Sequence, residues 1–315
     1  MRITLKQLQY FDAALRTGSI AKASVELSIS QSSITAAVDA MEAMTRAELL
    51  RRMPAKGIVP TDKGVEAGKR IRAFLEQARI FEADLLTLTG DPAGTLRLGC
   101  YSSTAPYVLP PLLKQITRDF PQIRVEIREG DMQEVAEYLN NGVVDLALTY
   151  RRAAPKAQPF LPMFKATPFA LVPETSPLAQ NAEVSLSELA SMSMILLDLP
   201  GAPEYFQTLF EAEGLSLHIS HTTKSSSVLR GLVGAGLGYA ILNILGQQDR
   251  EGQNGYVARP ITGTQYAPSY GVATTAASQK SSLVRAVLDT CKQLVQEGGF
   301  NHLVSAKQVE DRQSP

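Results

Sequence analysis

Histidine and cysteine are scarce in this chain, with three His and two Cys among 315 residues. His218 and His221 lie three apart on a predicted strand, so their side chains leave by opposite faces, a poor arrangement for a shared metal. His302 stands in the tail. Cys100 and Cys291 have no metal-ligand spacing. Cys100 reads as a small buried apolar residue, with a redox-sensing thiol as the alternative. Gly234, Gly236 and Gly238 follow a predicted helix rather than joining a strand to a helix, so they imply no dinucleotide site. There is no Walker motif and no nucleophile elbow. These absences leave no catalytic residue to name, and no cofactor or metal is expected. A secretory signal and an apolar run of about 18 residues are also missing, so a soluble cytoplasmic protein with no membrane contact is expected. Nor is there net charge, which excludes a uniformly basic nucleic-acid binder.

What is present is an ordinary globular composition, 44% hydrophobic and 20% charged, in a chain long enough for about two domains. The charge is uneven. Residues 1–60 hold eight Lys or Arg against five Asp or Glu, a net of +3. Within them, Leu5, Leu8, Phe11 and Leu15 form the apolar stripe of a first helix that Gly18 ends. Ile20, Ala23 and Leu27 line a second, and Ile34, Val38 and Met41 a third. Ser28-Ile29-Ser30 breaks the pattern between them, with Ser30 as N-cap. Two short helices around a tight turn form a helix-turn-helix, whose second helix enters a DNA major groove; an ordinary helical hairpin is the alternative. Ser30, Gln31, Ser32, Ser33, Thr35 and Ala36 sit at the start of that helix. Gln and Ser/Thr bond base edges or phosphates, and Ala touches a thymine methyl. A small hairpin, or wing, follows around Pro54 and Gly57, offering Arg51, Arg52 and Lys56 to phosphates.

Residues 61–89 read as one helix capped by Thr61. Ala67, Ile71, Phe74, Ala78, Phe81, Leu85 and Leu88 are spaced four and three alternately, the seam of a coiled-coil strand. Ile71, Phe74, Ala78, Phe81, Leu85 and Leu88 are therefore expected to meet a second copy of the chain. Residues 90–94 carry Gly and Pro and read as a hinge.

The segment 5–64 resembles the DNA-binding end of LysR-type transcriptional regulators. The resemblance is carried by Leu8, Phe11, Gly18-Ser19, Ala21, Ala23, Leu27, Ser30 to Thr35, Met41-Glu42, Leu49 to Arg52, and Thr61 to Gly64. It departs at Ser32, where the family usually has Pro, at Ala36, where it has Arg, and at Asp39, where it has a basic or polar residue. The family's operator preference is therefore not transferable, and more of the affinity falls on the wing.

From Thr95 the pattern changes to strands alternating with helices, which predicts parallel βαβ units. Expected strands are 96–100, 123–128, 145–150, 169–173, 193–197, 217–222, 238–242 and 270–274. Expected helices are 106–120, 133–141, 185–190, 202–213, 225–234 and 281–296. Two lobes result, 95–164 with 268–298 and 168–262, joined by crossovers near 164–167 and 262–267. Residues 1–61 form a winged helix-turn-helix domain, 62–94 a linker and dimerisation helix with its hinge, 95–298 the two-lobed α/β domain, and 299–315 a disordered tail.

In the LysR-type family this α/β region resembles periplasmic binding proteins, and a small organic acid or similar inducer sits between the lobes, outside the carboxyl ends of the strands. Ser102, Ser103 and Thr104 open a helix after the first strand and suit a carboxylate. Gly201, Ala202 and Pro203 match the position of a second contact. Thr223, Gly130 and Tyr150 are further candidates, as is Arg151 or its neighbour Arg152. The resemblance implies double-stranded DNA as partner, read at an interrupted palindromic operator by a homodimer that assembles to a homotetramer, with RNA polymerase as a further partner. A cytosolic small-molecule-binding protein without DNA function and an α/β enzyme are the alternatives.

Overall fold

The computed structural model describes residues 3–53, 57–250, 254–263 and 267–304 and divides into two compact units, Met1–Leu85 and Leu86–Pro315. In the first unit, α1 (Leu5–Thr17) opens on a capping box between Thr4 and Gln7 and ends at Gly18, whose φ of +63° is left-handed. Ser19 caps α2 (Ile20–Glu26), and Ser30 caps α3 (Gln31–Thr45) by accepting from the Ser33 N–H at 3.2 Å. Phe11, Ala23, Ile34, Val38 and Met41 fill the core between the three helices. The wing is the antiparallel pair β1 (Leu50–Met53) and β2 (Gly57–Pro60).

Three polar contacts fix the wing. The Glu42 carboxylate accepts from the N–H groups of Leu49 (2.6 Å) and Leu50 (3.0 Å). The Gly18 carbonyl accepts from the Ile58 N–H at 2.9 Å. Thr61 donates to the Glu48 carbonyl (2.8 Å) while capping α4 (Asp62–Leu86) through the Gly64 N–H (3.0 Å).

The long helix departs from expectation in two ways. Its last residues tighten into a 3-10 turn, Thr87–Thr89. Its seam is also divided. Ile71 is only 6% exposed and lies in the core of its own unit, with Ala67 packed beside it. Ala78 is half-buried. Phe74, Phe81, Leu85 and Leu88 stay exposed, Phe81 at 64%. Thr61 roots the first turn of α4 beside the wing, and the next turns lie against α1, where Gly68 faces Leu15 and Arg72 pairs with Asp12 at 3.3 Å, so that part of the apolar stripe is turned inward.

In the second unit, β3 (Gly94–Tyr101), α5 (Ala105–Asp119), β4 (Ile123–Gly130), α6 (Met132–Asn140), β5 (Leu146–Tyr150) and β6 (Phe160–Lys165) build the first lobe. Its sheet is completed by β13 (Ser269–Thr274) in the order β4-β3-β5-β13-β6. The second lobe follows as β7 (Phe169–Pro173), β8 (Val184–Ser185), α7 (Leu186–Ala190), β9 (Met194–Leu197), α8 (Ala202–Glu211), β10 (Ile219–Thr223), α9 (Ser226–Gly234), β11 (Ala240–Leu242), α10 (Gln247–Arg250) and β12 (Tyr256–Thr262). Its strands run β11-β7-β12-β8, and the β9–β10 pair joins them through a bridge between Met194 and Tyr239. The chain then returns to the first lobe and ends on α11 (Ser282–Gln296), which packs on α5.

Parallel pairing holds for β3 with β4 and β5 and for β9 with β10, but β7 is antiparallel to β11 and β12, and β13 to β5 and β6. Both sheets are therefore mixed rather than parallel throughout. The two-residue β8 lies outside the sequence reading, and so do β6 and β12. Pro162 and Pro260 disguise the last two, since proline donates nothing to a ladder; β6 tolerates its proline as an edge strand.

The tail also differs from expectation as far as Val304. Phe300, Leu303 and Val304 are buried in the main core. Leu245 donates its N–H to the Leu303 carbonyl at 2.9 Å, and Arg250 reaches the Val304 carbonyl at 3.0 Å. Three apolar side chains in five residues are enough to hold this stretch down. Residues 305–315 lie outside the described residues. Among those described, no helix is long and apolar enough to cross a membrane.

Two outcomes follow. A Cβ on Gly64 would sit 2.0 Å from the Leu49 carbonyl oxygen, and backbone cannot yield as a side chain can. Gly64→Ala is expected to destabilise the first unit by about 1–3 kcal/mol, read as a lower thermal midpoint; an unchanged midpoint would contradict that packing. Burial pushes the Cys100 and Cys291 thiols up to about 12. Neither is expected to react with a thiol reagent at pH 8 in the folded protein, and both should react in guanidinium; rapid native labelling would restore the redox reading of Cys100.

Candidate functional site

The first unit presents one surface built for contact. Gln31, Ser32 and Ala36 are exposed on the first two turns of α3, while Ile34, Ala37 and Val38 hold the opposite face in the core. Ser33 and Thr35 are half-buried. The Ser30 hydroxyl lies 2.8 Å from those of Ser32 and Ser33, and the Thr35 hydroxyl donates to the Gln31 carbonyl at 3.0 Å. Gln31 therefore carries the freest hydrogen-bonding group of the set. Arg51 and Arg52 are exposed on β1 beside this helix; Arg51 pairs with Glu48 at 3.0 Å. Lys56 lies outside the described residues.

The second unit holds a cavity between its lobes. The first lobe lines it with Tyr101, Ser103, Thr104, Tyr107, Tyr150 and Arg152, at the carboxyl ends of β3 and β5 and the start of α5. From the second lobe come Leu197, Ala202 and Phe206, at the end of β9 and on α8, with Leu242, Asn243 and Ile244 after β11, and Arg230 on α9. The lobes also touch directly. A Cβ on Gly201 would lie 3.6 Å from Met132 Cε, where α6 meets the start of α8.

Of the residues named from sequence, Ser103, Thr104, Tyr150, Arg152 and Ala202 line this cavity. The Thr104 hydroxyl is already engaged with the Tyr270 hydroxyl (2.6 Å) and the Tyr101 carbonyl (2.9 Å). Ser102 and Gly130 are outside the lining and are joined through backbone, the Ser102 N–H donating to the Gly130 carbonyl at 2.9 Å. Gly201 lines an adjoining hollow on the far side of Arg152. Pro203 and Thr223 lie outside the lining, and the Thr223 hydroxyl accepts from the Ser225 N–H at 3.2 Å.

The two candidate arginines lie in different surroundings. Arg151 turns away, donating to the carbonyls of Lys156 (2.7 Å) and Gln158 (3.2 Å) with its guanidinium 5.3 Å over the Phe160 ring. Arg152 faces the cavity instead. Its guanidinium carbon lies 4.3 Å from the Tyr205 centroid and 5.3 Å from that of Tyr150. Both arginines lie in the turn that follows β5, and its local course sends the two side chains to different surroundings.

Several lining groups were missed from sequence. Arg230 and Asp249 form a buried two-bond pair (2.7 and 2.8 Å), and Asp249 also accepts from the Tyr256 hydroxyl and the Gly246 N–H. Above that pair sits Tyr107, with Arg230 5.7 Å from its ring centroid and its hydroxyl accepting from Gln248 Nε2 at 2.9 Å. A Cβ on Gly246 would lie 2.4 Å from this ring. The one available signal was a charged residue between Leu229 and Val233, on the apolar face of α9. Asn243 donates to the Ala166 carbonyl (3.0 Å) and the Tyr205 hydroxyl (2.9 Å).

Burial raises the phenols of Tyr150 and Tyr270 and takes that of Tyr101 to about 12, so all three are neutral at physiological pH. Walls of neutral phenol and hydroxyl around an exposed guanidinium suit a small anion.

Comparison with known proteins agrees with both halves. Residues 5–65 match the bacterial regulatory helix-turn-helix protein, lysR family, and residues 89–296 match the LysR substrate binding domain. The crystal structure of HinK, a LysR family transcriptional regulator from Pseudomonas aeruginosa, is similar at 30% identity and a TM-score of 0.61, covering 93% of this chain and 98% of that one. The HTH-type transcriptional regulator YvbU of Bacillus subtilis is 26% identical over 241 residues, 76% of this chain and 82% of its own. The HTH-type transcriptional activator CmpR of a Synechocystis strain is 27% identical over 262 residues, 81% and 83% of the two chains. With a helix-turn-helix domain and a LysR substrate binding domain in that order, the chain belongs to the LysR family of transcriptional regulators.

Proposed function

We propose that this regulator works in the cytoplasm as a homodimer, paired further into a tetramer, and reads an interrupted palindromic operator in a manner set by a small anion between its lobes. The observation that carries the reading is the exposed start of α3, rigidly backed by its own core, in one chain with a cleft that holds an unneutralised guanidinium. Gln31, Ser32 and Ala36 face the base edges, and Ser30, Ser33 and Thr35 contribute hydroxyls near the phosphates. Arg51, Arg52 and Lys56 supply salt-sensitive affinity from the wing.

Phe74, Phe81, Leu85 and Leu88 remain exposed and meet the same stripe of a second copy, which supports two-fold placement of the heads on DNA. Anion binding favours one angle between the lobes, and through the linker helices one spacing of the heads, a coupling between two sites through two global states. RNA polymerase contact would follow from that placement.

Fluorescence anisotropy with the DNA upstream of the protein's own coding region tests the DNA half. Gln31→Ala is expected to cost about 1–3 kcal/mol on the specific site and little on unrelated DNA. Arg52→Ala is expected to weaken all sequences alike and to flatten the slope of log K against log salt by about 0.9. Equal loss on every sequence for Gln31→Ala, or an unchanged slope for Arg52→Ala, would remove that residue from the interface. Phe81→Asp is expected to shift the protein toward monomer in sedimentation equilibrium; an unaltered assembly would place the dimer contact elsewhere.

A further inference from the structure

We propose that the occupant of the inter-lobe cavity is a compact oxyanion of a single negative charge and about four heavy atoms, held by the in-plane N–H edge of Arg152 and the Ser103 hydroxyl. This rests on the cleft being the effector site and adds the chemical class of the effector. Three observations carry it: a count of charges, a volume, and the way Arg152 is held.

The cavity lining includes two cations, and only one is open to a ligand. Arg230 spends Nε and one terminal nitrogen on Asp249 and the other on the Ser226 carbonyl at 3.2 Å, so the pair brings no net charge to the site. Arg152 has no acidic partner among the described residues and is exposed. The nearby Asp131 carboxylate caps α6 through the N–H groups of Gln133 and Glu134. One uncompensated positive charge matches one negative charge; a dicarboxylate or phosphate dianion would bring a second into a space walled by neutral groups, with no second open cation to meet it.

The cavity has a volume of about 40 Å³. A single water needs roughly 10–15 Å³ by that measure, so there is room for about three. Formate, acetate and nitrate fit, and a benzene ring does not.

The Arg152 guanidinium lies over the Tyr205 and Tyr150 rings, and among the described residues its N–H donors meet no protein acceptor, so a planar oxyanion can take two of them. Arg152 also stands between this cavity and the adjoining hollow of about 360 Å³, lined by Gly201, Glu204, Tyr205, Thr208, Leu209 and Ala212; Glu204 forms no ion pair with Arg152 among the described residues, and its carboxylate would repel an anion that extended there. An acid with an apolar tail would have to displace the guanidinium from Tyr205 to use both spaces.

Isothermal titration calorimetry on the full chain, at matched ionic strength in chloride, tests this with sodium formate, acetate and nitrate against succinate, phosphate and benzoate. Saturable binding is expected for at least one of the first three, no tighter than roughly 10–100 µM for so few atoms. The second three should bind at least tenfold more weakly. Arg152→Gln and Ser103→Ala should each weaken the anion at least tenfold. Arg152→Lys, which keeps charge but not the fork, should recover part of the loss and shows that the site is still folded. If succinate, phosphate or benzoate binds more tightly while still requiring Arg152, the class is wrong and the cleft reading stands. Anion binding indifferent to both Arg152 and Ser103 would overturn the cleft reading itself, and no saturable binding of any compact monoanion at millimolar concentration would overturn the proposal.

Discussion

In the α/β half, β6 and β13 lie side by side in antiparallel register, Lys165 opposite Ser269 and Phe164 opposite Tyr270, and both passages of the backbone between the lobes leave from this pair. The Ala166 N–H extends the ladder to the Pro268 carbonyl at 2.9 Å, beyond the last paired residues. The lobes are thus tied by a hydrogen-bonded ribbon rather than by two independent linkers, and a ribbon bends more readily across its plane than it shears. Tyr270 anchors it to the cavity floor: its ring stacks on Phe164 at 5.3 Å and meets Tyr150 edge-on at 5.1 Å, and its hydroxyl lies 2.6 Å from that of Thr104. Aromatic pairs of this kind contribute about 0.5–1.5 kcal/mol each beyond the area they bury. Phe300 continues the stack from the C-terminal segment, 5.9 Å from Phe164, and Asn243 ties the second lobe to the crossing at the Ala166 carbonyl.

Electrostatics then decides which groups remain open to a ligand. Arg230 is almost fully buried, and a buried charge persists only when paired and fully hydrogen-bonded, as Asp249 does for it. Arg152 keeps contact with water and needs no such partner; two tyrosine rings hold it in place while its charge stays available. The DNA-facing unit follows the same economy. Glu42 is spent on the wing backbone and Thr61 on the root of α4, which leaves Gln31 and Arg52 free at the surface.

Much of this was legible in the sequence where one local rule sufficed. Ser30 and Thr61 read as caps because a hydroxyl preceded a helical apolar period, and the three short helices followed from spacing alone. What failed to show needed information from elsewhere in the chain. Pro162 disguised β6, since edge position, which tolerates proline, is a property of the finished sheet. Ile71 and Phe81 share one heptad pattern, yet one is in the core and the other in solvent, because docking on the wing and α1 consumes the first turns of α4. Arg151 and Arg152 are neighbours in the turn after β5, and which of them faces the cavity depends on the course of that turn, which composition cannot supply. The pairing of Arg230 with Asp249 spans 19 residues and two short helices, and no periodicity predicts it.

The relation between cleft occupancy and lobe angle is tested most directly by a distance. Lys114 on α5 and Glu211 on α8 are exposed, one on each lobe, and the native cysteines are buried, so spin labels at Lys114→Cys and Glu211→Cys mark the lobes selectively. With nitrate or acetate added to saturation, the distance distribution from pulsed electron-electron resonance is expected to narrow and move to a new mean, and to stay fixed when Arg152→Gln is added. The same distribution with and without the anion would contradict a regulator that works by bending at the β6–β13 ribbon.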